Sequence, residues 1–391
     1  MIYEMTEFIF SFSIAAIVYA YFGYPVVLCI VAFWKRCLKF TASGEPSERG
    51  IPSVTVIITV RNEERVIRDK LLNTLALKYP PGAESNQFEI IVASDASDDQ
   101  TTEIVREYSA TGVKLVALAA RGGKERAQAE ALGHATGEII VFTDARSSLP
   151  PEALSRLVAY FSDPRVGAVS SVDRVTTSAS GSSGEGLYVI YEMWLRRLES
   201  ACHSLIGLSG SCFAVRKVVC SPFLTNVPSD FQFLINARKQ GFIGIHAEDA
   251  TCSYESVKTE EAEFTRKVRT VLRGIHTLFS YKEMLNPFRF GFFSIQLLSH
   301  KLCRWLVPFF ILLAGGSLFI LSRSSFGYTA LFFIGIVFFL LAAIGYFRPA
   351  LRRNLLLKVP LFFTVSNLAI LSAWIKYLSG ERTVKWDPSQ R

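Results

Sequence analysis

Four apolar stretches bracket this chain, and no fold that leaves them in water can hold it. They are Phe8–Trp34, Trp305–Leu321, Phe326–Phe347 and about Val359–Ile375. The first carries no charge. At about 1.5 Å of rise per residue it is long enough to cross a ~30 Å hydrocarbon core with tilt. A cleaved signal peptide is a poor reading, because Glu4 and Glu7 stand where Lys or Arg would, and the run is too long. Lys35, Arg36 and Lys39 follow it, so the next segment is expected in the cytosol. Arg348, Arg352, Arg353 and Lys358 put the loop between the third and fourth stretches there too. Counting crossings then sends the C-terminal tail outside, whereas Lys376, Arg382, Lys385 and Arg391 prefer the inside. Pro360 and Asn367 leave a re-entrant or broken fourth stretch open.

Composition agrees with a membrane protein. The 391 residues are 50% hydrophobic and only 19% charged, with a mean hydropathy of +0.30. That excludes both a purely soluble enzyme and a disordered chain. The net charge of +8 is read as cytosolic-side enrichment of Lys and Arg, and no nucleic-acid partner is expected. The seven cysteines have no Cys-x-x-Cys and no zinc spacing, which predicts reduced thiols and no disulfide frame.

Ordinary globular composition runs from Ile51 to about Gly274. Val54–Val60, Phe88–Ala93, Val113–Leu118, Glu138–Thr143 and Val166–Val172 read as strands. Helical spacing over Glu63–Leu77, Thr101–Tyr108, Lys124–Ala135 and Pro151–Phe161 alternates with them. Short apolar strands alternating with helices predict a parallel, doubly wound α/β sheet. The organisation expected is an anchor over 1–40, a cytosolic domain over 51–274, an amphipathic interface segment over 275–304, membrane helices over 305–378, and a tail over 379–391. The Ser- and Gly-rich run Thr176–Gly186 reads as a loop beside the site.

Ligands of such sheets bind beyond the carboxyl ends of the strands. There the chain carries Arg61-Asn62-Glu63-Glu64, Ser94-Asp95-Ala96-Ser97-Asp98-Asp99 and Asp144-Ala145-Arg146. Asp98 and Asp99 read as helix caps. Asp95 and Asp144 end strands with no helix expected within reach of their side chains, and so read as ligand-facing. There is no Gly-x-Gly-x-x-Gly after the first strand and no Walker motif, which argues against a dinucleotide dehydrogenase or a P-loop enzyme. Arg121-Gly122-Gly123-Lys124 opens a helix and suits contact with a nucleotide phosphate or base edge. Arg266, Arg269 and Arg273 share one helix face, to clamp a diphosphate or to rest on anionic lipid headgroups. His203, His246, His276 and His300 have no metal spacing and read as structural, as does Glu255.

The set Val60-Arg61-Asn62-Glu63, Ser94-Asp95-Ala96-Ser97, Gly123-Lys124 and Thr143-Asp144-Ala145 resembles the nucleotide-binding half of family 2 glycosyltransferases. These have the GT-A fold, a Rossmann-like nucleotide-diphospho-sugar transferase domain. Gly207–Lys217 resembles their glycine segment, Pro228-Ser229-Asp230-Phe231 the catalytic acid region, and Arg266-Lys267-Val268-Arg269 their (Gln/Arg)-x-x-Arg-Trp element. The tail Pro360–Arg391, with Asn367, Gly380 and Trp386, is similar to that of membrane members related to poly-β-1,6-N-acetylglucosamine and hyaluronan synthases.

The resemblance implies a membrane-anchored, inverting glycosyltransferase of cell-surface polysaccharide synthesis. It implies a multi-pass protein of the cell's inner membrane, facing the cytosol. Asp230 would be the general base. Thr59, Arg61, Asn62, Glu63, Asp95, Lys124, Asp144, Arg266 and Arg269 would bind the UDP-sugar donor, with Asp95 on the uracil N3–H. Asp144 would hold Mg²⁺ or Mn²⁺. Gly210, Ser211 and Trp194 would face the acceptor, and Glu192 and Glu199 either help or pack. The implied partners are the donor, a lipid-linked or polysaccharide acceptor, membrane lipids, and other exopolysaccharide-assembly proteins. Three positions depart from the family pattern: Arg146 for the second acid of Asp-x-Asp, Ser229 for the acid before the base, and Thr270 for the Trp. Two other readings stand beside this one: a processive β-glycan synthase with export, which Thr270 in place of the Trp counts against, and a non-catalytic nucleotide-sugar-binding partner of a synthase complex, which follows from Arg146 and Ser229 in place of acids.

Overall fold

A computed structural model describes residues 2–37, 51–81, 87–176, 184–255, 260–351 and 354–381. Lys39, Arg352, Arg353, most of the 176–186 run, and Arg382, Lys385, Trp386 and Arg391 of the tail lie outside the described residues.

Helix α1 (Ile2–Val18) passes through a π turn, Tyr19–Gly23, into α2 (Tyr24–Cys37). Pro25 explains the irregularity, because it has no N–H to give to the Tyr21 carbonyl. The Tyr191 hydroxyl donates to that carbonyl instead, at 2.9 Å. Strands β1 (Val54–Val60), β2 (Glu89–Ser94), β3 (Val113–Ala117) and β4 (Ile139–Asp144) alternate with α3 (Ile67–Leu75), α4 (Thr101–Glu107) and α5 (Lys124–His134). The β-branched run of β1 is buried along its whole length, as a central strand covered on both faces must be.

After β5 (Ser147–Ser148) and α6 (Ala153–Ala159) come β6 (Val166–Thr176), α7 (Gly184–Cys202), β7 (Cys212–Arg216), α8 (Ser229–Lys239) and β8 (Ile243–Glu255). The eight-stranded sheet has the order β3-β2-β1-β4-β7-β6-β8-β5. The parallel expectation holds from β1 to β4. It fails at β7, which runs antiparallel to both β4 and β6, and at β5, antiparallel to β8, while β6 and β8 pair in parallel. The reason is local. The glycine segment ending at Ser211 lies at the carboxyl edge of the parallel strands, so the strand it feeds can only return in the opposite direction.

Glu89 ties this half together. It accepts from Thr55 Oγ1 at 2.6 Å, Lys114 Nζ at 2.6 Å, and Thr136 N and Oγ1 at 2.9 and 3.1 Å. Burial alone would raise its carboxyl, but Lys114, Thr55 and Thr136 outweigh it and hold the group down at about 2. A depressed carboxyl contributes stability that is present above its unfolded value of 4.5 and is lost as pH falls toward 2. Acid titrations of wild type and Glu89→Gln are therefore expected to diverge above about pH 4 and converge near pH 2. Parallel curves throughout would remove this role.

The second half of the chain is helical: α9 (Glu260–Ser280), α10 (Pro287–Phe290), α11 (Phe292–Leu297), α12 (Arg304–Leu321), α13 (Phe326–Phe347) and α14 (Leu355–Leu378). Among the described residues, four helical stretches are long and apolar enough to cross a membrane: Ile2–Cys37, Phe292–Leu321, Phe326–Phe347 and Leu355–Leu378. The second begins at Phe292 and not at Trp305, because a π turn, Leu298–Cys303, joins α11 to α12 without a break. His300 and Arg304, whose charges mask this in the sequence, are paired with Glu192 and Glu199. One apolar cluster joins the sheet domain to these helices. It holds Phe231 and Ile235 of α8, Leu272 and Ile275 of α9, Trp305 of α12 and Trp374 of α14. The seven cysteines are all free.

Candidate functional site

The carboxyl ends of β1, β2 and β4 and the glycine segment meet in one place. Lys124, first residue of α5, is its hub. Its Nζ donates to Asp144 Oδ1 at 2.6 Å and to the Gly210 carbonyl at 3.3 Å. Burial disfavours that ammonium, yet Asp144, Glu125 and Asp230 around it more than compensate and raise its pKa. Asp144 is anchored from behind, its N–H donating to the Ser211 carbonyl at 3.1 Å. Asp230, in the first turn of α8, directs Oδ2 at Gly210: a Cβ there would stand 3.2 Å from that oxygen. Glycine at 210 is what lets the backbone come so close. Oδ1 of Asp230 accepts from the Phe231 N–H at 2.8 Å. The three acids 95, 144 and 230 thus gather around Lys124 and its helix.

Asp95 corrects the sequence reading. A helix does start within its reach, brought there by the fold and not by chain proximity. Asp95 Oδ1 accepts from the N–H groups of Gly122 and Gly123, at 2.7 and 2.9 Å, just ahead of α5. Gly123 can present its N–H this way because its φ is +93°, a region that favours glycine. Asp95 is fully buried, and its Oδ2 has no hydrogen-bond partner among the described residues. Thr59 is equally buried, with an unpartnered Oγ1. Arg61 braces the Asp95 loop, Nη1 donating to the carbonyls of Asp95 and Ala96 at 2.7 and 2.8 Å. Asn62 and Ala96 both adopt left-handed conformations, φ +50° and +51°. Asn62 Oδ1 accepts from Asp98 N–H at 3.1 Å, and Ser97 Oγ accepts from Asn62 N–H at 3.2 Å. Of the two expected caps, Asp99 accepts from Thr101 N–H at 3.0 Å, whereas the Asp98 side chain is exposed.

Glu63 is buried, and Arg146 Nε meets its two carboxylate oxygens at 2.9 and 2.8 Å. Burial raises the Glu63 carboxyl, and Arg146 pulls it back only in part. Arg146 is therefore turned toward β1, and the pair occupies the flank of the site where the second acid of Asp-x-Asp was expected. Lys70 of α3 supports the same loop from beneath, giving hydrogen bonds to Thr143 Oγ1 and to the carbonyl and hydroxyl of Ser147, at 3.0, 2.8 and 3.2 Å. Ser209 Oγ donates to Asp173 at 2.5 Å and accepts from Ser211 N–H, shaping the glycine segment. Sequence reading missed these supports, whose partners are dozens of residues apart.

Arg273 faces the domain: its Nη2 is 2.5 Å from Glu125, beside Lys124. That sets the α9 basic face near the same helix start, with Arg269 and Arg266 one and two turns earlier. Trp194 is different. It is half exposed on α7, its ring 6.0 Å from that of Tyr191. Glu192 and Glu199 pack against His300 and belong to the membrane junction.

For a divalent cation the described residues offer a minimal seat. No group of three or more His, Cys, Asp or Glu gathers among them. Asp144 supplies one carboxylate, shared with Lys124. Magnesium needs only one or two protein carboxylates when substrate phosphates and water complete its shell, so Asp144 fits that mode.

Comparison with known proteins bears on this cleft. Residues 55–220 match the family described as Glycosyl transferase family 2. A protein of Trichormus variabilis named beta-monoglucosyldiacylglycerol synthase is 28% identical over 173 residues, 43% of this chain and 36% of its own length. A Staphylococcus epidermidis protein named poly-beta-1,6-N-acetyl-D-glucosamine synthase is 28% identical over 132 residues, 33% of this chain and 31% of its own. The chain thus spans about a third of the length of these two relatives. The structure of mannosyltransferase PcManGT from Pyrobaculum calidifontis, in complex with GDP-Man and Mn2+, superposes with a TM-score of 0.69. It is 26% identical, and the match covers 95% of this chain and 99% of that one.

Proposed function

With residues 55–220 forming a glycosyl transferase family 2 domain, we propose that the chain is a membrane-anchored, inverting glycosyltransferase. It moves a sugar from a nucleotide-diphosphate sugar, a UDP-sugar in the first instance, to a lipid-linked or polysaccharide acceptor. The observation that carries this reading is that Lys124 hydrogen-bonds both Asp144 and the Gly210 carbonyl, while Asp230 Oδ2 lies against Gly210.

In this reading Asp230 Oδ2 takes the proton of the acceptor hydroxyl as that oxygen attacks the anomeric carbon. The bond from that carbon to the diphosphate oxygen breaks, its electron pair leaves with the nucleotide, and one direct displacement inverts the centre. Lys124 releases Asp144 and pairs with the diphosphate, while Arg266 and Arg269 hold its outer oxygens. Asp95 Oδ2, an acceptor with no partner, is offered to a base N–H such as uracil N3–H. Asp144 would hold Mg²⁺ or Mn²⁺, which when bound offsets charge on the leaving diphosphate. The support for a metal is the Mn2+ of the Pyrobaculum structure and the single carboxylate of Asp144.

The test is nucleotide release by membranes carrying the full chain, over UDP- and GDP-sugars, with and without EDTA, followed by analysis of the product. Release with one donor class, dependent on a membrane acceptor and suppressed by EDTA, is expected. A lipid-extractable single addition supports the reading as stated, and long polymer replaces it with processive synthesis. No release with any donor overturns it.

A further inference from the structure

Lys301, at the membrane junction, makes no ion pair among the described residues. It lies in the π turn at the head of the Phe292–Leu321 stretch. The carboxylates around it are committed to its neighbours. His300 Nδ1 is 2.7 Å from Glu199 Oε1, and His300 Nε2 is 3.0 Å from Glu192 Oε1. Arg304 Nη1 is 3.1 Å from Glu192 Oε2, and the Tyr24 hydroxyl donates to Glu199 Oε1 at 2.7 Å. The charges facing Lys301 are thus Glu192 and Glu199 against Arg196 and Arg304, with no ion pair to Lys301 among the described residues.

Its ammonium lies instead beside the cleft. Nζ is 5.9 Å from the centre of the Phe231 ring, next in sequence to Asp230. It is 3.8 Å from where a Cβ on Gly207 would stand, and only Lys301 atoms lie within 4 Å of that point. So a partly buried cation borders open space at the start of the glycine segment. Withholding a counter-ion from such a charge is unfavourable, and a compact ammonium with three donors suits a phosphate. In the reading above the donor diphosphate is taken by Lys124, which Asp144 and Asp230 surround.

We propose that Lys301 seats the phosphate of a phosphorylated lipid acceptor, in front of Gly207 and beside Asp230. This rests on the glycosyltransferase reading above and names the acceptor's chemistry. The hydrocarbon chain has a route. Seven residues on, about 10 Å along the same helix, Pro308 opens an apolar groove of about 400 Å³ lined also by Ile311, Gly315, Phe339, Phe363 and Leu371.

The test is direct binding to the full chain in detergent, without donor, of a polyprenyl phosphate and of the matching polyprenol, read by native mass spectrometry. Wild type is expected to prefer the phosphate at least about tenfold. Lys301→Gln loses that preference, and Lys301→Arg keeps most of it. Gly207→Asp, which aims a carboxylate at Nζ, loses it with Lys301 still in place. All three variants bind the nucleotide-sugar as wild type does. Equal binding of phosphate and alcohol by wild type, or an unchanged preference in Lys301→Gln, overturns the proposal. Displacement of the polyprenyl phosphate by equimolar phosphatidylglycerol makes the seat a bilayer headgroup site and also overturns it. Weakened nucleotide-sugar binding in Lys301→Gln assigns the lysine to the donor and does the same. Because binding is read without turnover, an enzyme reading that fails leaves this preference standing, and the converse holds.

Discussion

Asp230→Asn is expected to lower kcat by about 10²- to 10⁴-fold, the range of a positioned general base, with donor affinity unchanged. The substitution keeps the shape of the side chain. An amide oxygen at the Oδ1 position still accepts from the Phe231 N–H, now made at 2.8 Å, so α8 keeps its first turn. What disappears is the basic oxygen facing Gly210. Single-turnover transfer beside equilibrium donor binding separates the two effects. Full kcat in Asp230→Asn would move the proton acceptor elsewhere. A loss of donor binding with no loss of kcat would make Asp230 a donor contact. Gly210→Ala is a steric companion: its Cβ, 3.2 Å from Oδ2, pushes the carboxylate aside and reduces kcat without altering its chemistry.

Arg146→Met is expected to destabilise the chain by about 3–5 kcal/mol, because it strands the Glu63 carboxylate in the interior without its partner. Glu63 is 2% exposed and has both oxygens on Arg146 Nε. The melting temperature should fall by about 10 °C. Glu63→Gln in the same chain should restore most of it, since removing both charges avoids the unpaired one. Thermal unfolding in detergent measures all three proteins. If the double variant melts no higher than Arg146→Met, the arginine contributes through packing and not through its charge. This also bears on the departure from Asp-x-Asp: an arginine committed to a buried glutamate is part of the scaffold, and an acid at 146 would set a third carboxylate beside Glu63 and Asp144.

Local patterns determined a good deal here. Apolar runs longer than a bilayer is thick, such as Phe326–Phe347, can be hidden only by lipid or protein, so their helices follow from composition alone. The β-branched run Val54–Val60 and its three successors alternate with helices over spans short enough to impose the parallel half of the sheet. A parallel sheet puts its strand ends on one edge, and that is why Asp95 and Asp144 could be expected to share a cleft. The tertiary structure decided what those side chains touch. Glu63 and Arg146 are 83 positions apart and Lys124 and Gly210 are 86 apart, and no periodicity records such meetings. The same holds for Asp95, whose helix start arrives from 27 residues away, and for β7, whose direction follows from where the glycine segment enters. Pattern reports the period of a single element, while the pairing of charges depends on which elements the burial of apolar surface brings together. For that reason Lys301, in sequence one more base before a membrane helix, is distinguished only by the acids that its neighbours have taken.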